Sequence, residues 1–276
     1  MKQHLITLKS ELLELKDSME QSGFSRINNY QEADAIDRIT RLINEDKIEI
    51  NGKERFEIKK KSERMGKVSE KIRWQSLNSI GKGCKAIAGE QPSIAKRMLQ
   101  EVFVTTIAQK QGLLFDEEDK KDWGEVLSQG TEAFVYYNSE SVERAVVKTL
   151  DYSRNRGHDL SEFAERMIGF NTMFPQTKHN LIGFVKEKNM AGDRIMLKPV
   201  LQQAFVEGKT LLKFSNSQRE FEKAMKFFQE VDYTVKNGNM LCKKGWIADD
   251  LNLGNIIKTP DGKYFVIDAF VKRENE

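Results

Sequence analysis

The chain has 276 residues, 39% of them hydrophobic, enough for one two-lobed unit or two small domains with real cores. Charged residues make up 32% yet nearly cancel to +3, with both signs mixed along the chain, so a nucleic-acid partner is not indicated. No apolar run approaches the roughly 18–20 residues of a membrane helix, and the first residues carry no signal-peptide core. Cys84 and Cys242 fit neither a metal nor a redox spacing, so a cytoplasmic protein with inert thiols and no membrane contact is expected.

From Met1 to Lys121 the sequence reads as mostly helical. Leu5, Leu8, Leu12, Leu13 and Leu15 mark a first amphipathic helix, and Ala33 to Leu42 a second. Between Lys47 and Lys59 the period switches to two, with Asn51-Gly52 at the centre, a type I′ hairpin signal. Lys59 to Lys61 reads as a solvated strand end. Ile72–Ile80 and Ile94–Gln109 predict further helices. Gly81-Lys82-Gly83-Cys84-Lys85-Ala86 matches a dinucleotide fingerprint in letters only, because no apolar strand precedes it. It is expected to be a loop between helices.

After Asp122 short β-prone runs take over: Val126-Leu127, Phe134–Tyr137 and Arg144–Leu150. A helix is expected over Leu160–Phe174, then strands over Leu181–Glu187 and Arg194–Val206, and a last helix over Gln218–Val235. The end reads as a hairpin, Asn255–Lys258 and Lys263–Asp268 around Thr259-Pro260-Asp261-Gly262. The expected class is therefore α+β, divided into residues 1–121 and 122–276.

The chemistry concentrates in that hairpin. Asp250-Leu251-Asn252-Leu253-Gly254-Asn255, followed by Asp268 at the end of an apolar strand, sets two carboxylates and an amide oxygen around one turn. Such a set can hold Mg²⁺ and orient a hydroxyl, which is most of what phosphoryl transfer asks of a protein. The duller reading is an Asx-rich turn serving only the backbone, but it leaves Asp268 unexplained. Asp249 competes with Asp250, and spacing to Asn255 favours Asp250. His4, His158 and His179 are scattered and add little.

D-L-x-x-x-N followed by a strand ending in Asp resembles the protein-kinase-like and aminoglycoside-phosphotransferase-like superfamily. Within it, Trp123 to Lys272 resembles a kinase-like family found in polyvalent proteins of bacteriophages and conjugative elements. The resemblance rests on Gly130-Thr131-Glu132, Val147-Lys148, Phe170-Asn171 before Phe174-Pro175, Leu181-Ile182-Gly183-Phe184, Gln203 to Gly208, and the Asp250, Asn255, Asp268 set. It implies a two-lobed kinase-like fold with a nucleotide-binding lobe over 122–208 and a minimal catalytic lobe over 209–276. It also implies ATP and Mg²⁺, and a bacterial or mobile-element source. By the same resemblance, Ser128, Gly130, Thr131 and Ala133 would cradle phosphates and Lys148 would contact them. Glu165, in preference to Glu162, would hold Lys148, while backbone groups around Gln203 to Phe205 would meet the adenine edge. Asp250 would take or orient the acceptor's proton, with Asn255 and Asp268 on the metal.

Several departures bear on activity. Only one glycine of the phosphate loop is kept, Ala248-Asp249 replaces the His-Arg before the catalytic Asp, and Ala269-Phe270 follows the metal-binding acid. Residues 269–276 hold no activation segment. The expectation is a phosphotransferase acting on an unidentified protein or small-molecule hydroxyl. The alternative is an inactive kinase-fold binding or regulatory module with a helical interaction region.

Overall fold

The computed structural model describes residues 112–130, 133–139, 144–152, 159–188, 195–249 and 251–274, with single helical positions between Trp74 and Gln109. The expected helices over Leu5–Leu15 and Ala33–Leu42, the hairpin at Asn51-Gly52 and the Lys59–Lys61 run lie outside the described residues. Lys82, the described member of the fingerprint-like stretch, is helical where a loop was expected.

The described residues form an α+β fold built on three sheets and two α-helices. The largest sheet has six strands: β1 (Leu114–Phe115), β2 (Glu125–Gln129), β3 (Ala133–Tyr137), β4 (Ala145–Leu150), β5 (His179–Lys188) and β6 (Ile195–Ala204). Their order is β1-β5-β6-β4-β3-β2. Neighbours run antiparallel except β1, which lies parallel to β5 with Leu114 opposite Phe184. The sheet thus takes in residues upstream of the expected division at 122. Helical positions contribute as well: Gln100 accepts from Leu160 N at 2.8 Å, and the Trp74 ring meets Phe163 edge-on at 5.8 Å.

Between β4 and β5 runs α1 (Leu160–Met173). Asp159 starts it, its carboxylate accepting from Ser161 N at 2.9 Å and Glu162 N at 3.0 Å, which satisfies two of the first turn's orphan donors. Phe174-Pro175 stops it, since proline cannot continue the ladder. The helix buries Phe163, Ala164, Met167 and Phe170. On the opposite side of the sheet, Val147 packs with Trp123, Val185, Val200 and Tyr136. Successive strand residues point to opposite faces, so Lys148 must point toward α1.

Beyond β6 come β7 (Lys209–Thr210), α2 (Ser217–Glu230), β8 (Thr234–Lys236), β9 (Met240–Lys243), β10 (Trp246–Asp249), β11 (Ile256–Lys258), β12 (Tyr264–Val266) and β13 (Phe270–Arg273). β13-β10-β9-β8 form an antiparallel sheet, and β12-β11-β7 form a small third one. The last helix ends at Glu230 rather than Val235. Asp232 and Asn237 adopt positive φ, and Asn237-Gly238 (φ 51° and 76°) makes the tight turn between β8 and β9. That is the same Asn-Gly signal the sequence carries at residues 51–52. The core of this half joins Phe170, Met173, Phe221, Met225, Phe228, Trp246 and Val271.

Candidate active site

Three strand ends converge where β4, the end of β12 and the β10–β11 loop meet. Lys148 is buried. Its ammonium donates to Ile267 O at 3.1 Å, the carbonyl just before Asp268. Ile267 N donates to Asn255 O at 2.9 Å, so one backbone bond ties the two expected metal-ligating positions together. Asn255 and Asp268 are both half-buried. Burial pulls the Lys148 ammonium below the ordinary lysine range, and the Asp268 carboxylate opposes that shift. The charge of Asp268 is therefore felt at Lys148.

The β10–β11 loop is also an Asx turn, since Asn252 Oδ1 accepts from Gly254 N at 2.9 Å and Asn255 N donates to Asn252 O at 3.0 Å. The side-chain part of that turn thus falls to Asn252. Asp250 lies outside the described residues. Its competitor Asp249 is drawn across the sheet to Lys272, 3.3 Å away.

In the phosphate-loop position, Gly130 N donates to Ala133 O at 2.9 Å, closing a tight hairpin between β2 and β3. Ser128 opposes Val135 beside a register irregularity, and Thr131 lies outside the described residues. At the expected hinge, Phe205 N donates to Arg144 O at 2.9 Å, so that donor is taken within the fold. The Phe205 ring stacks on Tyr137 at 4.5 Å. Gln203 works through its side chain, which is buried and donates to Thr177 O at 2.5 Å and Ile267 O at 3.2 Å.

Glu165 is not brought to Lys148. Its carboxylate lies between Lys82 Nζ at 3.5 Å and Arg273 Nε at 3.8 Å, on the side of α1 facing those two cations. Glu162 is exposed. What meets Lys148 instead is His179 at the start of β5, its Nε2 3.3 Å from Nζ. Burial, then the charges of Lys148 and Arg166, hold the imidazole well below its ordinary pKa, so it is neutral at pH 7. Sequence reasoning set His179 aside because no metal-like spacing surrounds it, and a lone histidine opening a strand carries no other local signal. Trp74 was missed too. Its indole Nε1 donates to His179 O at 2.8 Å, a contact of residues 105 positions apart that no window can reveal.

Among the described residues, no group of three or more His, Cys, Asp or Glu could hold a metal ion. Asn255 and Asp268 nonetheless supply hard oxygen donors on adjoining backbone, and that donor chemistry suits Mg²⁺ rather than a soft metal. Cys242 is a free, buried thiol, and burial pushes its pKa up. Among the described residues, no helix is long and apolar enough to cross a membrane.

A lysine from the third strand of the antiparallel set, a helix inserted after it, and an Asp just past a hairpin whose preceding carbonyl takes that lysine's hydrogen bond define a kinase-like domain. The family model of a serine/threonine/tyrosine kinase found in polyvalent proteins matches residues 98–275, and the chain belongs to that family. A search of curated proteins found no match.

Proposed function

We propose that the chain is an ATP- and Mg²⁺-dependent phosphotransferase with an active centre at Lys148, Asn255, Asp268 and Asp250, delivering the γ-phosphoryl group to a protein or small-molecule hydroxyl. The observation that carries the reading is the contact of the buried Lys148 ammonium with the carbonyl preceding Asp268, close enough for the Asp268 charge to act on the lysine. Lys148 would hold phosphate oxygens, Asn255 and Asp268 the metal, and Asp250 the acceptor's proton. Magnesium, when bound, neutralises charge on the phosphates. Ser128, Gly130, Thr131 and Ala133 would cover the phosphates, and the hinge at Gln203 to Phe205 would border the base. A two-lobed arrangement, with residues 122–208 binding nucleotide and the remainder forming a minimal catalytic lobe, goes with this reading.

A second reading, a kinase-fold binding module without nucleotide chemistry, draws on the closed Gly130–Ala133 hairpin and the occupied Phe205 N–H. A thermal-shift titration with ATP and Mg²⁺ separates the two, because a ligand that binds only the folded state stabilises it by mass action. The enzyme reading expects a metal-dependent rise, lost in Lys148→Ala and Asp268→Ala, with Asp250→Ala retaining the rise but losing transfer. Folded protein without a shift in any form would favour the module.

A further inference from the structure

Lys148 carries a buried positive charge, and α1 supplies no carboxylate to meet it. The helix turns Glu165 outward to Lys82 and Arg273. On its inner side α1 offers Phe170, whose ring lies 4.5 Å from that of His179, and Asn171. One turn before Phe170, Arg166 sets its guanidinium 5.1 Å over the Phe270 ring, with Nε and Nη1 buried and without a hydrogen-bond partner among the described residues. This helix therefore brings a cation, not an acid, toward the centre.

His179 is fixed on three sides. Asn171 grips its backbone, Oδ1 accepting from His179 N at 2.7 Å and Nδ2 donating to His179 O at 2.9 Å. Trp74 donates to the same carbonyl, and the imidazole lies against Phe170. A side chain only 2% exposed and clamped this way has little freedom except to present Nε2 to Lys148. An ammonium has three donors and no acceptor capacity, so the imidazole must accept at Nε2 and carry its proton on Nδ1. Among the described residues, Nδ1 has no hydrogen-bond partner.

We infer that His179 is the positioning residue of Lys148, a neutral acceptor in the place where a helix carboxylate would otherwise hold the lysine. The inference rests on the reading of Lys148 as a phosphate-binding group. A carboxylate partner would neutralise part of the lysine's charge, whereas an imidazole orients the ammonium and leaves its charge for phosphate oxygens and for Asp268. Removing the acceptor costs a buried ammonium one of its hydrogen bonds, which disfavours the charged form and frees the side chain to move.

The test uses the full chain as wild type, His179→Phe and His179→Gln, each checked for folding by circular dichroism. Phenylalanine keeps a ring against Phe170 without an acceptor, and glutamine can place an acceptor near Nε2. Calorimetric titration with MgATP and with adenosine should show His179→Phe weakening MgATP by about 10-fold or more, with adenosine changed much less and His179→Gln near wild type. Equal weakening of both ligands, or unchanged MgATP affinity in His179→Phe, overturns the inference. A second arm needs no nucleotide: the rate at which acetic anhydride acylates Lys148, followed by peptide mass spectrometry. His179→Phe should raise it several-fold by favouring the neutral amine, and His179→Gln should not. If wild type binds no MgATP yet the acylation rates move this way, the phosphotransferase reading fails while the Lys148–His179 coupling stands. If the rates do not move, the coupling fails as well.

Discussion

Gly169→Ala sets two effects of opposite sign against each other. In an open helix the change should stabilise by about 0.8–1 kcal/mol, since alanine loses less backbone freedom than glycine. Gly169 is not in the open. A Cβ there would lie 2.4 Å from Trp246 Cε3, 2.6 Å from Cζ3 and 2.8 Å from Val271 Cγ1, where carbon contacts normally begin near ~3.5 Å. Trp246 is buried, and the Arg273 guanidinium lies 3.9 Å from its ring centroid, so the indole is held in place. Overpacking of this kind costs typically about 1–3 kcal/mol, and three contacts under 3 Å place the site at the upper end. The net expectation is a loss of about 2 kcal/mol, or roughly 4–8 °C in Tm for a domain of this size. Thermal melts followed by tryptophan fluorescence would read it, with Val271→Ala in the same background recovering about 1 kcal/mol of coupling. A Tm equal to or above wild type would refute the close approach of α1 to β10 and β13.

The buried Glu220 carboxylate accepts from Lys223 at 2.7 Å, Lys258 at 2.6 Å and Tyr264 at 3.1 Å, and the hydrogen bond from Lys223, then that from Lys258, hold its pKa down to about 2. Its ionised form stabilises the fold above the unfolded value near 4.5, and that share is lost as pH falls toward 2. Lys223 is 49% exposed, so screening trims the share to about 2 kcal/mol, and acid melts of Glu220→Gln should lack this part of the wild-type pH slope. Glu187 lies 3.1 Å from the fully buried Lys198 and 2.6 Å from Lys120. Glu187→Ala should therefore cost about 3–5 kcal/mol by leaving a buried cation uncompensated, and a denaturation loss under about 1 kcal/mol would contradict the pairing. His179 is neutral in the fold and takes a proton on unfolding below its ordinary value of 6.5, so stability falls as pH drops from there. The slope should approach about 1.4 kcal/mol per pH unit in wild type and flatten in His179→Gln. Identical slopes would show that another group titrates.

Local chemistry was legible wherever one stretch of chain contained all the parts. The β3 and β4 runs, the α1 segment, and the Thr259–Gly262 hairpin that brings Asn255 level with Ile267 follow from period and turn residues. The β8–β9 turn was equally available in Asn237-Gly238, but the apolar spacing of α2 masks it by running on through Val231 and Val235. Burial partners were not legible. Glu165 sits on a plausible helix face for Lys148, and only the packed structure sends it to Lys82 and Arg273. His179 and Trp74 carry no periodic signal, yet folding sets one against Lys148 and the other against the histidine's carbonyl. Sequence determines which residues can do chemistry and which segments hold them on strand ends. Which cation meets which acceptor is decided by long-range packing, because it depends on the register of β4 against β6 and the rotation of α1 over the sheet, and neither is encoded within a turn or two of chain.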